Sequence, residues 1–75
     1  MRITFRLTGG LAHKVGFSHR ELDVEPGTTI ADLLARFAID PAWPMIIARN
    51  GWAVDADVRV EPGDRIMVAP VFSGG

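Results

Sequence analysis

The residues with the clearest chemical potential are the last four, Phe72-Ser73-Gly74-Gly75. They carry no charged side chain, and the two glycines leave φ and ψ unrestricted. Five extended residues from Val71 to Gly75 span about 17 Å, which is enough to insert the terminal carboxylate into the active site of another protein. Because a carboxylate is inert until it is activated, we expect a partner to adenylate it and sulfur or an amine to capture the acyl group. The alternative is a frayed end without function.

The other residues that often perform chemistry form no recognisable site. The chain has no cysteine, which excludes disulfides, thiol catalysis and thiolate metal sites. His13 and His19 lie six residues apart without an obvious third ligand, so we interpret both as surface residues. The Gly9-Gly10 pair lacks the spacing of a phosphate-binding loop. Asp55 and Asp57 lack the further oxygen ligands of a calcium loop, and no metal is expected.

Length and composition predict one small globular domain. With 75 residues, 48% of them hydrophobic and 23% charged, the chain can bury a core without disulfides or metal. The net charge of -1 gives no field that favours nucleic acid or an anionic membrane, so neither is expected as a partner. The first residues, MRITFRLT, lack the apolar stretch of a signal peptide, and we expect a cytoplasmic protein.

Hydrophobic periodicity predicts the elements of the first half of the chain. Residues 2–8 alternate between apolar and polar side chains and predict a strand. A flexible loop is expected over residues 9–18, followed by a second strand over 19–25. Thr29 and Asp32 resemble a capping box, so a helix is predicted to begin there.

Turn residues organise the second half. The helix is predicted to end at Asp40-Pro41, because the residue before a proline is pushed out of the helical region. Residues 45–49 and 52–54 predict a hairpin around Asn50-Gly51, a strong tight-turn signal. The final strand is predicted over residues 65–71.

The order ββαβββ has few compact arrangements. One helix must cover one face of the sheet, and the last strand is expected to pair parallel with the first. This predicts an α+β fold, a single-domain β-grasp (ubiquitin-like) roll with a mixed sheet and one helix packed on one face. We predict a domain over residues 1–71 and a flexible tail over 72–75. The predicted core comprises Ile3, Phe5, Leu7, Leu22, Val24, Ile30, Leu33, Leu34, Phe37, Ile46, Val58, Ile66 and Val68.

The alternation of the last strand also predicts a docking surface. If Ile66 and Val68 point inward, their neighbours point outward beside the polar side chains of the first strand. Exposed apolar side chains rimmed by arginines favour a partner with an acidic rim. The alternative for Phe72 is that its ring folds back onto the domain. The predicted partner-binding residues are Arg6, Arg65, Met67, Ala69, Val71, Phe72 and Ser73.

Three motifs carry a family resemblance that covers nearly the whole chain. They are the Asn50-Gly51 hairpin, the turn Glu61-Pro62-Gly63-Asp64-Arg65, and the ending Ala69-Pro70-Val71-Phe72-Ser73-Gly74-Gly75. Together they resemble the sulfur-carrier family of ubiquitin-like β-grasp proteins, which includes the molybdopterin synthase small subunit and the thiamine-pathway sulfur carrier. The ending is more similar to the molybdopterin branch, although that branch usually has two prolines where this chain has Ala69-Pro70.

The resemblance implies a noncatalytic carrier with no bound cofactor. An E1-like enzyme would adenylate Gly75 with ATP, and a sulfur donor would convert it to a thiocarboxylate. Gly75 would then hold the sulfur, and Gly74 would keep the tail thin. The implied acceptor is a larger subunit like that of molybdopterin synthase, or a thiazole synthase-like enzyme. The implied pathway is molybdopterin, for the molybdenum or tungsten cofactor.

Three alternatives stay open. The sulfur could serve thiamine synthesis or tRNA thiolation, Gly75 could be joined to a lysine as in a protein modifier, or the domain could be an interaction module with an idle tail. Lys14 is the only lysine against seven arginines, which disfavours chain building but not single conjugation. Deleting Gly74 and Gly75 separates a carrier from an interaction module, because only the carrier loses its function.

Overall fold

The computed structural model describes residues 1–71. Its centre is the parallel pair formed by the first and last strands, in which Phe5 lies opposite Ile66. This pairing, and with it the predicted α+β, β-grasp fold class, is confirmed. The sheet order is β2-β1-β5-β3-β4. The elements are β1 (Arg2–Leu7), α1 (Gly9–Val15), β2 (His19–Asp23), α2 (Ile30–Arg36), β3 (Met45–Arg49), β4 (Trp52–Ala53) and β5 (Arg65–Pro70).

The predicted loop at residues 9–18 is wrong, because Gly9–Val15 forms helix α1. Leu11 is buried in the core and holds the helix against the sheet. Gly16 ends the helix at a φ of 104°, and its N–H donates to the Ala12 carbonyl at 2.9 Å. The element order therefore contains two helices rather than the predicted one. A helix of seven residues that begins with two glycines is too short to show a helical period in the sequence.

Helix α2 begins where the capping box predicts. The Asp32 N–H donates to Thr29 Oγ1 at 3.1 Å, and the Thr29 N–H donates to Asp32 Oδ2 at 2.9 Å. These two bonds satisfy backbone donors that the helix itself leaves free. The buried side of the helix is formed by Ile30, Leu33 and Leu34.

The end of α2 differs from the prediction. The helix stops at Arg36 rather than at Asp40-Pro41, because Ala38 adopts a left-handed φ of 56°. The Ile39 N–H then donates back to the Leu34 carbonyl at 2.9 Å, which is the bond of a Schellman cap. This cap turns Ile39 into the core, where the sequence had not placed it. Glycine usually occupies the left-handed position, so alanine there gives no sequence signal.

One predicted core residue is on the wrong side of the sheet. Ile46 is 51% exposed, because β3 pairs with β5 in a register that places Ile47 opposite buried Val68. Ile47 and Met45 therefore pack against the core, while Ile46 points away. The buried core cluster consists of Ile3, Phe5, Leu7, Leu11, Leu22, Val24, Ile30, Leu33, Leu34, Ile39, Val60, Ile66 and Val68, with Phe37 and Val58 partly buried against it.

Candidate functional site

The sheet has an inner face that forms the core and an outer face on the opposite side. In β5 the outer residues Arg65, Met67 and Ala69 alternate with Ile66 and Val68, whose side chains have no exposed surface. The predicted outward orientation of these three residues is therefore confirmed. Outer and inner residues must alternate in this way because successive side chains of a strand point to opposite faces.

An apolar strip runs along the outer face from β3 to the end of β5. Ile46 lies opposite Ala69, and Ala48 lies opposite Met67. Val71 follows β5 and is 49% exposed, and its N–H donates to the Pro44 carbonyl at 3.2 Å. We define the apolar strip as Ile46, Ala48, Met67, Ala69 and Val71. The sequence had assigned Met67, Ala69 and Val71 to this surface, whereas it had placed Ile46 in the core and had overlooked Ala48.

Arginines flank the apolar strip on the side of β1. Arg6 is exposed and lies opposite Met67, and exposed Arg65 lies opposite Thr4. Neither Arg6 nor Arg65 forms an ion pair with another residue of the described chain, 1–71. A partner that covers the strip would therefore meet two uncompensated positive charges at its edge.

Arg2, the third arginine of this face, is already paired. Its Nη2 lies 3.2 Å from Asp23 Oδ2, and its Nη1 lies 3.7 Å from Glu21 Oε2. The hydrogen bond and charge of Arg2 lower the pKa of Asp23 below its usual value. Both side chains are exposed, so this pair adds little to stability, and it leaves Arg2 less free to bind a partner.

A buried carboxylate fixes the start of β5. Asp64 accepts hydrogen bonds from the Glu61 N–H at 2.8 Å and from Asn50 Nδ2 at 3.0 Å, and Arg49 Nε lies 3.4 Å away. Asn50 also accepts from the Arg65 N–H through Oδ1 at 2.8 Å, while its own N–H donates to the Arg65 carbonyl at 2.8 Å. We call this network the Asp64 clip. It joins the β3–β4 hairpin to the backbone of Arg65 and so positions that side chain.

The hairpin that enters the clip has the predicted geometry. Asn50 and Gly51 have φ values of 53° and 88°, which are the two positive values of a type I′ turn. The sequence had interpreted Asp64 only as part of a turn. The sequence gives no local sign that the Asn50-Gly51 pair and the acidic turn meet, because Asn50 and Asp64 are 14 positions apart.

The last four predicted site residues lie outside the described residues; they are Phe72, Ser73, Gly74 and Gly75. Their predicted roles and the predicted domain limit at residue 71 stay predictions. His13 lies on α1 and His19 on β2. In residues 1–71, no three acidic or histidine side chains are grouped so that they could hold a metal ion. Neither described helix is long and apolar enough to cross a membrane.

Comparison with known proteins gives one family and several solved structures of the same fold. The ThiS family model matches residues 5–75. Small archaeal modifier protein 1 of Haloferax volcanii, SAMP1, has 21% identity over 100% of both chains, with a TM-score of 0.78. A putative molybdopterin converting factor subunit 1 from Pyrococcus furiosus has 19% identity over 93% of this chain and 97% of that one, with a TM-score of 0.77.

A third similar structure contains a bound partner. It is a complex of subunits 1 and 2 of the molybdopterin-converting factor from Helicobacter pylori, and it has 20% identity over 100% of both chains, with a TM-score of 0.66. No curated protein matches the chain significantly.

Proposed function

The chain belongs to the ThiS family of ubiquitin-like, β-grasp sulfur carriers, and on this premise we propose that Gly75 is adenylated by a partner and then converted to a thiocarboxylate. The observation that carries the proposal is the family match, which extends to residue 75 and so includes the Gly74-Gly75 ending. The chain itself acts as a noncatalytic carrier, with ATP consumed by an E1-like activating enzyme. We propose that the carrier acts in the cytoplasm, where ATP is available to the activating enzyme.

The proposed chemistry has two steps. In the first, the Gly75 carboxylate attacks the α-phosphorus of ATP, which forms an acyl adenylate and releases pyrophosphate. In the second, sulfur at the oxidation level of sulfide attacks the acyl carbon, and AMP leaves. Gly74 and Gly75 suit both steps because they present the reacting carbon without side chains around it.

The apolar strip with Arg6 and Arg65 is the proposed docking surface for the activating enzyme and for a larger acceptor subunit. The similar structure from Helicobacter pylori, a complex of subunits 1 and 2, supports a larger partner. Phe72 and Ser73, which follow Val71 in the sequence, are proposed as further partner-binding residues. Exposed apolar residues such as Ile46 and Val71 favour this role, since their exposure contributes nothing to folding.

We propose molybdopterin synthesis as the pathway that receives the sulfur. Similarity to the converting-factor subunits of two organisms and the Pro70-Val71-x-x-Gly74-Gly75 ending support it. A thiazole synthase-like enzyme is the acceptor if the pathway is that of thiamine instead.

A second candidate function is that of a protein modifier, which similarity to small archaeal modifier protein 1 favours. In that case the activated Gly75 forms an amide with a lysine of a target protein. Lys14, the only lysine of this chain, lies with Nζ 3.9 Å from the centre of the Trp43 ring. This cation–π contact holds the ammonium group on the ring and so disfavours chains built on Lys14.

Intact mass spectrometry tests the proposal. The chain is incubated with ATP, a candidate E1-like enzyme and a sulfur source, and the mass is measured at a resolution that detects replacement of one oxygen by sulfur. We expect this shift in the natural chain and its loss in a chain without Gly75, while a Lys14→Arg variant keeps it. A carrier is contradicted if an enzyme that forms the Gly75 adenylate never yields the sulfur shift. A product joined through a lysine of another protein identifies a modifier.

A further inference from the structure

A polar depression lies on the outer face beside the apolar strip. It is open, has a volume of about 480 Å³, and is lined mainly by groups that can donate hydrogen bonds. The lining includes two arginines, a histidine, a threonine and a serine, which come from β1, from the beginnings of β2 and β5, and from the residue just before β2. We define the polar depression as Thr4, Arg6, Leu7, Ser18, His19 and Arg65.

Among the residues that the structure describes, 1–71, no acidic side chain lines the polar depression. Glu21 is an acidic residue of the outer face that lies opposite Thr4 in the sheet, and its Oε2 lies 3.7 Å from Arg2 Nη1. Asp64 directly precedes Arg65, but its carboxylate is buried in the Asp64 clip. The positive charges of Arg6 and Arg65 are therefore not compensated within residues 1–71.

The backbone that carries these donors is fixed by strand pairing. His19 lies opposite Arg6, and the Leu7 N–H donates to the Ser18 carbonyl at 3.0 Å. The backbone N–H and the backbone carbonyl of Arg65 are both hydrogen-bonded to Asn50. Groups on rigid strands lose less conformational freedom on binding than groups on loops, so this arrangement is suited to recognition.

Arg6 and Arg65 also line a second, mainly apolar depression. This one has a volume of about 280 Å³ and includes Ala48, Gly51 and Met67. The two arginines therefore separate a polar from an apolar part of one continuous surface. A partner that covers the apolar strip must bring its own side chains over the polar depression.

We propose that the polar depression binds aspartate or glutamate side chains of the protein that docks on the apolar strip. Planar guanidinium groups bind carboxylates through two parallel hydrogen bonds, and Ser18, Thr4 and His19 supply further donors. The depression is open and continuous with the strip, which fits side chains projecting from a protein surface better than an enclosed small ligand. This inference rests on the proposed function, which supplies the partner. It adds that the partner surface is negatively charged and that the residues of the polar depression bind that charge.

An NMR titration with defined peptides tests the inference on the full chain. The probe is an acetylated, amidated peptide of four glutamates, and its uncharged match contains four glutamines, both at constant ionic strength. We expect saturable shifts of the Thr4, Ser18, His19 and Arg65 amides with the glutamate peptide alone. An Arg6→Gln/Arg65→Gln variant is expected to bind about tenfold more weakly, since it lacks both charge-assisted contacts.

The matched control is Arg59→Gln combined with Arg20→Gln, which removes the same charge from exposed arginines outside the depression. The inference is overturned if this control weakens binding as much, or if the glutamine peptide binds equally well. If inorganic phosphate displaces the peptide at equal charge, the depression binds phosphate and the inference is wrong. If the shifts grow with protein concentration alone, the depression binds a second copy of the chain and the inference is also wrong. The titration is repeated on a chain without Gly75, which carries no sulfur under the proposed function. Sulfur loading is measured separately on the natural chain, so failure of peptide binding and failure of sulfur loading can be told apart.

Discussion

The two faces of β5 differ sharply although their residues alternate along one strand. On the inner face, Ile66 and Val68 have no exposed surface. On the outer face, Met67 and Ala69 are only partly covered, and Arg65 is exposed without an ion pair in residues 1–71. The inner face is thus closed within the domain, while the outer face keeps exposed apolar and charged groups.

Aromatic residues sharpen the same contrast. Phe5 on the inner face of β1 stacks on Phe37, with ring centroids 5.4 Å apart, and Phe37 meets Phe17 edge to face at 5.1 Å. Such pairs add stability beyond the area that they bury. The apolar strip of the outer face contains no aromatic ring among the described residues. We conclude that the inner face provides stability, whereas recognition of a partner is the role that we propose for the outer face.

The largest predicted effect compares two consecutive residues of β5. Ile66→Ala removes a fully buried side chain and is expected to lower the free energy of unfolding by about 2–5 kcal/mol. Met67→Ala, on the outer face, is expected to cost less than about 1 kcal/mol but to weaken docking of the activating enzyme. Urea denaturation measures the first quantity, and the rate of sulfur loading measures the second. Equal losses of stability in the two variants would show that the faces are not distinct.

The next effect concerns the Asp64 clip, which connects the core to the outer face. Asp64→Ala leaves Asn50 and the Glu61 N–H without their acceptor, and we expect a loss of about 2–3 kcal/mol. The control is Asp57→Ala, an exposed carboxylate, which is expected to change stability by about 0.5 kcal/mol or less. Thermal or urea unfolding of both variants gives the comparison. If Asp64→Ala unfolds like Asp57→Ala, the clip has no structural role.

A smaller effect is expected where α1 approaches the inner face of β5. Gly9 has a φ of +55°, and a Cβ at this position would lie 3.3 Å from Pro70 Cγ. Gly9→Ala is therefore expected to cost about 1–2 kcal/mol. The adjacent Gly10→Ala meets nothing within 4 Å and lies in the helix, so it is expected to be neutral or to stabilise by up to about 1 kcal/mol. Opposite signs in urea unfolding would support this packing, and equal effects would contradict it.

The smallest effect is predicted for the exposed pair of Arg2 and Asp23 on the outer face. Because Arg2 lowers the pKa of Asp23 in the folded state, the pair stabilises the fold above the ordinary aspartate value of 3.8. This contribution is lost as the pH falls through the lowered pKa. Asp23→Asn is expected to unfold slightly more easily than the natural chain at pH 7, with the difference vanishing in strong acid and shrinking in salt. A difference that grows in acid would contradict the assignment.

Local rules predicted a large part of the fold. The capping box of Thr29 and Asp32, the turn at Asn50-Gly51 and the alternation of β1 and β5 all depend on residues within a few positions of one another. The parallel pairing followed from them, because few compact arrangements satisfy that order of elements. The outward orientation of Met67 and Ala69 came from the same alternation.

The errors arose where local patterns are ambiguous. Helix α1 depends on Leu11 reaching a core that is built mostly by other segments, and its short length shows no period. The left-handed cap at Ala38 is tolerated because Ile39 gains full burial, which propensities alone do not predict. In β3, apolar residues lie on both faces, so the sequence pattern did not indicate which of Ile46 and Ile47 points into the core.

The sequence by itself determined the fold class, the ThiS-like ending and the faces of β1 and β5, because alternation and turn chemistry act between near neighbours. Only the tertiary structure decided that Ile46 joins the apolar strip and that Arg6, His19 and Arg65 surround one polar depression. These groupings depend on which strands become neighbours and in which register. That choice is made by the packing of the whole core, since shifting a strand by one residue moves every side chain to the opposite face.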